Sequence, residues 1–411
     1  MLTNGADFSF REYNSDMENC TIKIVTPEDG FYFHSYYDVD PISPSGRYLA
    51  CNKIPFQDRS PEHHSEAEIC VVDLVEEKIH CVGKSKGWGM QTGSHICWGP
   101  TDELLYYNDK EGTNVFCIEH NLKTGENRKL SGPIWQISPD GRYIFSPSLI
   151  YTDYSQEGYG TVIENEEEAI PALEVSEQEG LWRVDTQTNE KKLIFSIKQA
   201  YDLLPDKKAF ERGRFVFFHT KINPQNNKIM LVVRCVFEHE DAGSKDRRPQ
   251  HKYIVTMDMD GGNAQIAFPY HLWTKGSHHP TWCPDGESIL MNVSVKGATQ
   301  FCRFGYDGSS FEVVCPDTPG GGHPSYSNDL RYILTDVTSS EKITNEKGQV
   351  PLRLIDATLG TEKAVCHIDN LRDIKKELRC DLHPIWSRAD GRIVFNGAPE
   401  GIRQVLIADI K

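Results

Sequence analysis

The chain repeats one pattern of apolar and polar positions seven times, with a strand-like segment, a turn rich in Gly and Asp, and a second apolar or alternating run. The turns and the runs that follow them are SPSGRYLA, GPTDELLYY, SPDGRYIF, NPQNNKIML, CPDGESILM, SNDLRYILT and RADGRIVF. Turn residues placed between apolar runs of this length are typical of paired β-strands. Further strand-like runs follow each copy, so the pattern predicts an all-β protein built from repeated sheets.

Strand-built repeats of roughly 40 to 60 residues predict a β-propeller. Seven turns indicate a seven-bladed β-propeller, formed as a single domain over residues 1–411. The longest interval lies between the third and fourth turns, where we expect an acidic loop insertion at about 155–178. The last repeat is short of strands. We therefore expect the N-terminal strand CTIKIVT, residues 20–26, to close the last blade and remove a free sheet edge.

Histidines recur at one position of this repeat. Counting five residues back from the Pro of each turn, or from its equivalent, gives Val39, His95, Ile134, His219, His279, His323 and His383. Equivalent positions of propeller blades surround the central axis, so the register predicts a ring of imidazoles around the central channel. A shift of one residue in the strands would instead bury these side chains in the blades as packed core histidines.

Three of the histidines lie in similar contexts, namely HPTW, HPSY and HPIW, which contain His279, His323 and His383. Imidazole is the commonest metal-binding side chain, and three from adjacent blades can meet at one point. Asp381 lies two residues before His383, on the same side of an extended strand, and is a candidate fourth ligand. The alternative is that each imidazole hydrogen-bonds nearby backbone and only fixes its blade. His278 is expected to be exposed.

The remaining in-register histidines, His219 and His95, are candidates for a catalytic base or acid near neutral pH. Arg234 lies in the apolar run IMLVVRCVF, where a charge requires a partner or a ligand, and an arginine binds carboxylates well. Lys221 is a candidate substrate contact, although the pattern equally fits an exposed strand residue.

The first repeat contributes FYFHSYYDVDP, in which aromatic residues precede the turn. His34, Tyr36 and Tyr37 would lie at the mouth of the channel, as a substrate-binding surface or as a proton donor. Tyrosine-rich strands more often form core or a sugar-stacking surface, so the sequence leaves both roles open.

Composition narrows the class of protein. The chain has 411 residues, a net charge of −16 and 38% hydrophobic residues, which is typical of a globular protein. The acidic balance argues against nucleic acid and anionic membranes as partners. The twelve cysteines are spread singly, and the N-terminus is not signal-like, so we expect reduced thiols and a cytoplasmic location. Nucleophile-elbow, P-loop, HExxH and dinucleotide-binding motifs are absent from the sequence.

The phrases HPTWCPDG, GGGHPSYSNDLRYILTD and RCDLHPIWSRADG resemble, in blade order over nearly the whole chain, the oligogalacturonate lyases and the related ulvan-lyase-like seven-bladed propellers. The resemblance implies a divalent metal, usually manganese with zinc as the alternative, on His279, His323 and His383. It places Asp381 where the family has a histidine. A glutamine ligand of the family falls near Leu378, which cannot coordinate a metal, and the family's proposed base, an arginine, falls at Asn223.

The resemblance further implies a polysaccharide lyase that cleaves uronate-containing oligosaccharides by metal-assisted β-elimination. We expect His219 to be the base, Arg234 to bind the carboxylate, and His95 or Tyr36 to be the acid. The expected substrate contacts are His34, Lys221 and Asn223. One alternative is a glycoside hydrolase acting on rhamnose–glucuronate linkages, which normally needs two carboxylates that the repeat pattern does not place in the channel. The other is a non-catalytic TolB-like scaffold.

Overall fold

The computed structural model is a seven-bladed β-propeller, which confirms the fold predicted from the repeats. It describes residues 5–239, 248–273, 277–337, 343–371 and 375–410. In this part of the chain each blade is an antiparallel sheet of four or five strands. Apolar side chains of neighbouring sheets pack together between the blades, as around Trp135, which is fully buried.

The strands follow the predicted runs closely. The N-terminal segment and blade 1 contain β1 (Ala6–Asp7), β2 (Arg11–Tyr13), β3 (Cys20–Ile24), β4 (Phe31–Phe33), β5 (Tyr48–Ile54), β6 (Ala67–Asp73) and β7 (Lys78–Ser85). Blade 2 contains β8 (Cys97–Trp98), β9 (Leu104–Glu111), β10 (Asn114–Asn121) and β11 (Asn127–Lys129). Blade 3 contains β12 (Gln136–Ile137), β13 (Tyr143–Ser146), β14 (Gly180–Asp185) and β15 (Lys191–Ser196). Blade 4 contains β16 (Arg214–Ile222), β17 (Lys228–Val236), β18 (Gln250–Asp258) and β19 (Gln265–Phe268).

The last three blades have the same form. Blade 5 contains β20 (His278–Trp282), β21 (Ser288–Val295), β22 (Ala298–Gly305) and β23 (Glu312–Val314). Blade 6 contains β24 (Ser325–Tyr326), β25 (Tyr332–Thr335), β26 (Val350–Asp356) and β27 (Thr361–Ile368). Blade 7 contains β28 (Ile385–Trp386), β29 (Ile393–Gly397) and β30 (Gln404–Ile410), and it is completed by β3 and β2.

The N-terminal segment joins the first and last blades. Strand β3 pairs antiparallel with β30, from Cys20 opposite Ile410 to Ile24 opposite Leu406, as predicted for the closing strand. Strand β1 continues on the other side and pairs with β7 at the outer edge of blade 1. The N-terminal segment therefore pairs with both the last blade and the first blade.

Helices occur outside the blades. Residues 147–179 leave blade 3 between β13 and β14, and the expected insertion at about 155–178 lies within this segment. It contains α1 (Leu149–Ser155), which Ser148 caps, and a 3-10 helix over Glu166–Ala169. Helix α2 (Ile197–Asp202) begins at a capping box, and further 3-10 turns lie at Lys208–Phe210, Tyr270–Leu272, Lys376–Leu378 and Pro399–Gly401. Among the described helices, none is long and apolar enough to cross a membrane.

The in-register histidines share an unusual backbone. Left-handed φ angles occur at four of them, with 52° at His95, 52° at His219, 55° at His279 and 44° at His383. An L-residue in this conformation costs roughly 1–2 kcal/mol, so the surrounding structure must enforce it. In blades 4 and 5 the register of strand pairing shifts at the histidine, as in a β-bulge. In blade 6 the left-handed residue is instead Gly322, directly before His323.

Blade 1 departs from the repeat. Phe33 pairs with Asn52, and Ile42 forms the next bridge with Leu49, so residues 34–41 leave the sheet on one strand only. Tyr36 on this segment contacts rings of blades 3, 4, 6 and 7, so the segment enters the channel. Counting from the turn had placed Val39 at the channel position, but Val39 packs in the core.

Candidate metal centre and its surroundings

Three predicted ligands meet in the channel. One ligand atom each of His323, Asp381 and His383 lies within 4.8 Å of the other two, and all three residues are buried. Among the described residues, neither imidazole Nε2 has a hydrogen-bond partner. Burial lowers the pKa of His383 well below its ordinary value, which keeps the lone pair of its ring available. Two imidazole nitrogens and a carboxylate fit a divalent metal such as manganese or zinc. A buried unpaired nitrogen requires a polar partner, and a cation would serve as one here.

His279 stands beside this group rather than within it. Its ring stacks on that of His323, with centroids 3.8 Å apart, and its Nδ1 lies 2.6 Å from the Gly322 carbonyl oxygen. Three of the four predicted ligands, His323, His383 and Asp381, therefore form the group, and the fourth, His279, lies next to it. The expectation that His278 is exposed was wrong. It is half-buried, because its Nδ1 lies 2.8 Å from Nδ1 of His279 and 3.3 Å from Nδ2 of Asn292.

Sequence reasoning missed Asp336, which is fully buried. Its Oδ1 accepts from the ring Nδ1 of His323 at 2.9 Å and from the His323 backbone at 2.8 Å. Its Oδ2 accepts from the backbone of His383 at 3.1 Å. Burial raises the pKa of this carboxyl, but the charge and hydrogen bond of His323 outweigh it, so the pKa lies below its ordinary value. A carboxylate on Nδ1 fixes the ring and leaves Nε2 as the metal ligand.

A repeat signal for Asp336 exists in the sequence. The second strand of four other blades presents an asparagine whose side chain hydrogen-bonds backbone of the next blade. The four bonds join Asn52 to Ser94, Asn108 to Ile134, Asn292 to Gly322 and Asn396 to His34. We call this contact the inter-blade clasp. In blade 6 the corresponding residue is Asp336, so the inter-blade clasp there also places a negative charge beside His323 and His383.

Arg379 was also missed. Its Nε donates to Oδ1 of Asp381 at 2.9 Å, its Nη2 lies 2.6 Å from Oδ2, and Nη2 also donates to the Tyr159 hydroxyl at 3.0 Å. These bonds orient the Asp381 carboxylate, whose Oδ2 stands 4.0 Å from Nε2 of His383. Asp336 and Asp381 thus place two carboxylates beside the histidines, although the repeat pattern had predicted no carboxylate pair in the channel.

Arg379 and Tyr159 border a surface cleft of about 890 Å³. The insertion of blade 3 forms most of its wall, with Arg248, Ser60 and Pro61 among the other residues that line it. This volume is in the range of ligand-binding clefts, roughly 300–1,000 Å³. Arg379 therefore both lines the cleft and forms an ion pair with Asp381, one of the candidate metal ligands.

The candidate base and acid lie beside the candidate metal ligands. The Tyr36 hydroxyl lies 3.2 Å from Nε2 of His219, and the Tyr36 ring packs against that of His383 with centroids 4.7 Å apart. Burial raises the pKa of Tyr36 well above its ordinary value. Burial, with the charges of Lys221 and Arg234, lowers the pKa of His219. The two groups therefore meet as a phenol and a neutral imidazole.

The other predicted catalytic residues lie nearby. His95 is buried against Trp135, with ring centroids 4.3 Å apart. The Arg234 guanidinium lies 3.5 Å from the centre of the Phe218 ring and donates to Ser155 Oγ at 3.2 Å. The structure therefore gives Arg234 a bond to the blade 3 insertion.

Of the three predicted substrate contacts, two are buried near the channel and one lies away from it. His34 is buried in the channel. Lys221 is buried rather than exposed, with Nζ 3.1 Å from Asp38 and 3.8 Å from the centre of the Tyr37 ring. Burial lowers the pKa of Lys221 to about 8 although Asp38 opposes the shift. Asn223 is not brought to the site. Its side chain caps the turn at Asn227 and Lys228 and bonds the Gly286 carbonyl.

The sequence matches no protein-family model and no curated protein. The structure is similar to an oligogalacturonate lyase in complex with manganese, with a TM-score of 0.67 and 15% identity over 99% of this chain and 98% of that chain. It is similar to the oligogalacturonate lyase of Vibrio parahaemolyticus, with a TM-score of 0.65 and 13% identity over the same shares. The propeller domain of the Trilobed protease from Pyrococcus furiosus gives 0.50 and 14%, over 93% and 96%. At these identities the similarity shows the fold alone, a seven-bladed β-propeller.

Proposed function

We propose that this protein is a lyase that cleaves uronate-containing oligosaccharides by β-elimination, with a divalent metal bound by His323, His383 and Asp381. The observation that carries the proposal is the buried group of His323, Asp381 and His383, whose ligand atoms lie within 4.8 Å of one another. The Nε2 atoms of both imidazoles have no hydrogen-bond partner among the described residues. We propose manganese as the metal, with zinc as the alternative, because the donor set suits both. The similar lyase structure in complex with manganese supports this choice.

The bound cation would neutralise the carboxylate of the uronate and so acidify its C5 proton. His219 supplies the base, since its Nδ1 is buried without a hydrogen-bond partner among the described residues. When Nδ1 accepts the C5 proton, the Nε2 proton passes to Tyr36, and the Tyr36 hydroxyl gives its own proton to the leaving O4 oxygen. The relay uses the observed contact of 3.2 Å and leaves neither side chain charged. Burial of both side chains favours such a neutral path, because a charge is costly away from solvent.

The cleft beside the metal centre suits an acidic sugar chain. Arg248 lines it and is partly exposed, and a guanidinium group can pair with a carboxylate through two parallel hydrogen bonds. We propose that flanking uronate units bind there. We also propose a cytoplasmic location, which is supported by the twelve free cysteines, most of them buried.

A hydrolase would need two carboxylates beside the scissile bond. The two carboxylates beside the candidate metal ligands already accept hydrogen bonds within the protein. Asp336 accepts from His323 and His383, and Asp381 accepts from Arg379. A scaffold would have no need of paired, unbonded imidazoles. We therefore place elimination first.

The test is to incubate metal-loaded protein with oligogalacturonates, ulvan fragments and rhamnosyl-glucuronate glycans, with and without chelator. Ultraviolet absorbance reports the unsaturated uronate, and a parallel assay counts new reducing ends. A rise in absorbance that chelator abolishes is the expected result. New reducing ends without absorbance would establish hydrolysis instead. Protein that retains no stoichiometric metal and turns over no glycan would be a scaffold.

A further inference from the structure

Three cysteines form a row across blade 1, away from the channel. Cys51 on β5 faces Cys70 on β6, and Cys70 faces Cys81 on β7. Residues that face each other on antiparallel strands project to the same side of the sheet. Cys51 and Cys70 are buried and Cys81 is exposed, so the row leads from the core to the surface.

Cys70 and Cys81 are placed to bond covalently. A β-bulge lies beside them, because Ile69 pairs with Gly83 while Cys70 pairs with Cys81, which leaves Val82 as the extra residue. Facing residues have Cα atoms about 4.5–5.5 Å apart. This lies inside the span of roughly 4.4–6.8 Å that a disulfide bridges. The two side chains are close enough for each to shift the pKa of the other.

The exposed member is also the reactive one. The hydrogen bond from Cys70 lowers the pKa of the Cys81 thiol to about 7, although burial opposes the shift. The Cys81 sulfur lies 3.6 Å from the Gly83 carbonyl oxygen as well. The pKa of Cys70 is raised, first by this same hydrogen bond and then by burial, and burial raises that of Cys51. Cys81 is therefore the nucleophile, and the neighbouring Cys70 remains a protonated thiol.

We infer that Cys70 and Cys81 form a reversible disulfide in response to hydroperoxides. The Cys81 thiolate attacks the peroxide O–O bond and becomes a sulfenic acid, and the first water leaves. The Cys70 sulfur then attacks the Cys81 sulfur, the S–S bond forms, and a second water leaves. Two thiols are oxidised and one hydrogen peroxide is reduced to two waters. The site is independent of the proposed lyase activity.

Intact-mass measurement of the reduced full-length chain, treated with hydrogen peroxide, tests the inference. The expected result is a loss of about 2 Da that dithiothreitol reverses, with the bond mapped to the peptides of Cys70 and Cys81. Cys81→Ser abolishes the loss, and this exposed substitution leaves the core unchanged. Cys20→Ser is the matched control, since Cys20 is the other partly exposed cysteine, and it keeps the loss. Cys70→Ser leaves a sulfenic acid on Cys81 that dimedone traps.

Two outcomes would overturn the inference. One is a wild-type chain whose Cys81 gains oxygen atoms, or stays reduced, without forming the disulfide. The other is a loss of mass that persists in Cys81→Ser, because another pair would then be responsible.

Alkylation by iodoacetamide adds a kinetic check. The rate at Cys81 should reach half its maximum near pH 7, below that of Cys20, whose pKa burial raises. A midpoint above about 8.5, the value of an ordinary thiol, would also contradict the assignment.

Discussion

Two walls of one channel use the same residue at the same repeat position for different purposes. The metal wall, from blades 6 and 7, contains His323, Asp336, Asp381 and His383. The tyrosine wall, from blades 1 to 4, contains Tyr36, His95, Trp135, Tyr159 and His219. The walls meet where the Tyr36 ring packs on His383.

The difference between the walls lies in the partners of the imidazoles. On the metal wall, Asp336 holds Nδ1 of His323, and the other nitrogen is left as a basic ligand. On the tyrosine wall, His219 is surrounded by aromatic rings and its Nε2 meets the Tyr36 hydroxyl, so the imidazole stays neutral. His279 lies between the walls, stacked 3.8 Å from His323 and 6.3 Å from His219. The neighbours of a histidine, more than its place in the repeat, thus decide its chemistry.

The largest effect should come from removing a ligand of the metal wall. His383→Ala should lose stoichiometric metal and lower kcat about 10³-fold or more, because charge stabilisation by the cation disappears. Elemental analysis and the absorbance assay measure the two losses. The matched substitution on the other wall, His95→Ala, should retain metal. Equal loss of metal in both variants would show that the walls do not differ.

Next in size is the phenol of the tyrosine wall. Tyr36→Phe keeps the ring and should lower kcat roughly 10²–10⁴-fold, because it removes the proton donor. Metal content should not change. Tyr37→Phe is the control, since the Tyr37 hydroxyl donates to the Pro280 carbonyl, and it should cost less than about tenfold in kcat. If Tyr36→Phe instead loses metal, the tyrosine wall takes part in ligation and the comparison fails.

The charge on the clasp of blade 6 should matter less. Asp336→Asn retains an amide like those of the other clasps and should weaken metal affinity about 10–100-fold, measured by competition with a chelating dye. Asn108→Ala, which breaks the clasp of blade 2, should cost about 1–3 kcal/mol of unfolding free energy while leaving metal affinity unchanged. Unchanged affinity in Asp336→Asn would assign this carboxylate to blade assembly alone.

The smallest effect should come from Arg248, a partly exposed side chain that lines the cleft. Arg248→Ala should raise KM for a uronate oligomer about fivefold and leave kcat unchanged, because an exposed ion pair contributes about 1 kcal/mol. Steady-state kinetics measure both constants. Arg331→Ala, in a groove between blades 6 and 7, provides the control and should change neither. A fall in kcat for Arg248→Ala would mean that the cleft wall reaches the reacting bond.

The sequence was sufficient for much of the candidate site. Asp381 and His383 were predicted together because an extended strand places alternate residues on one side. His219 and Tyr36 were both identified, but their contact was not, because residues 34–41 leave the sheet and no repeat predicts their path. Asp336 and Arg379 were overlooked because each acts through another residue. A comparison of the second strands would have found Asp336, since asparagines occupy its position in four other blades.

The sequence by itself determined the seven blades, their closure and the histidine positions, because turn chemistry and strand alternation are local properties that repeat along the chain. The tertiary structure alone decided which histidines share a ligand space and which face a phenol. That choice depends on bulges, on the inward path of residues 34–41, and on bonds between residues far apart in sequence, such as Asp336 with His383 and Arg379 with Tyr159. Convergence of this kind is set by the angles between blades, which no local pattern records.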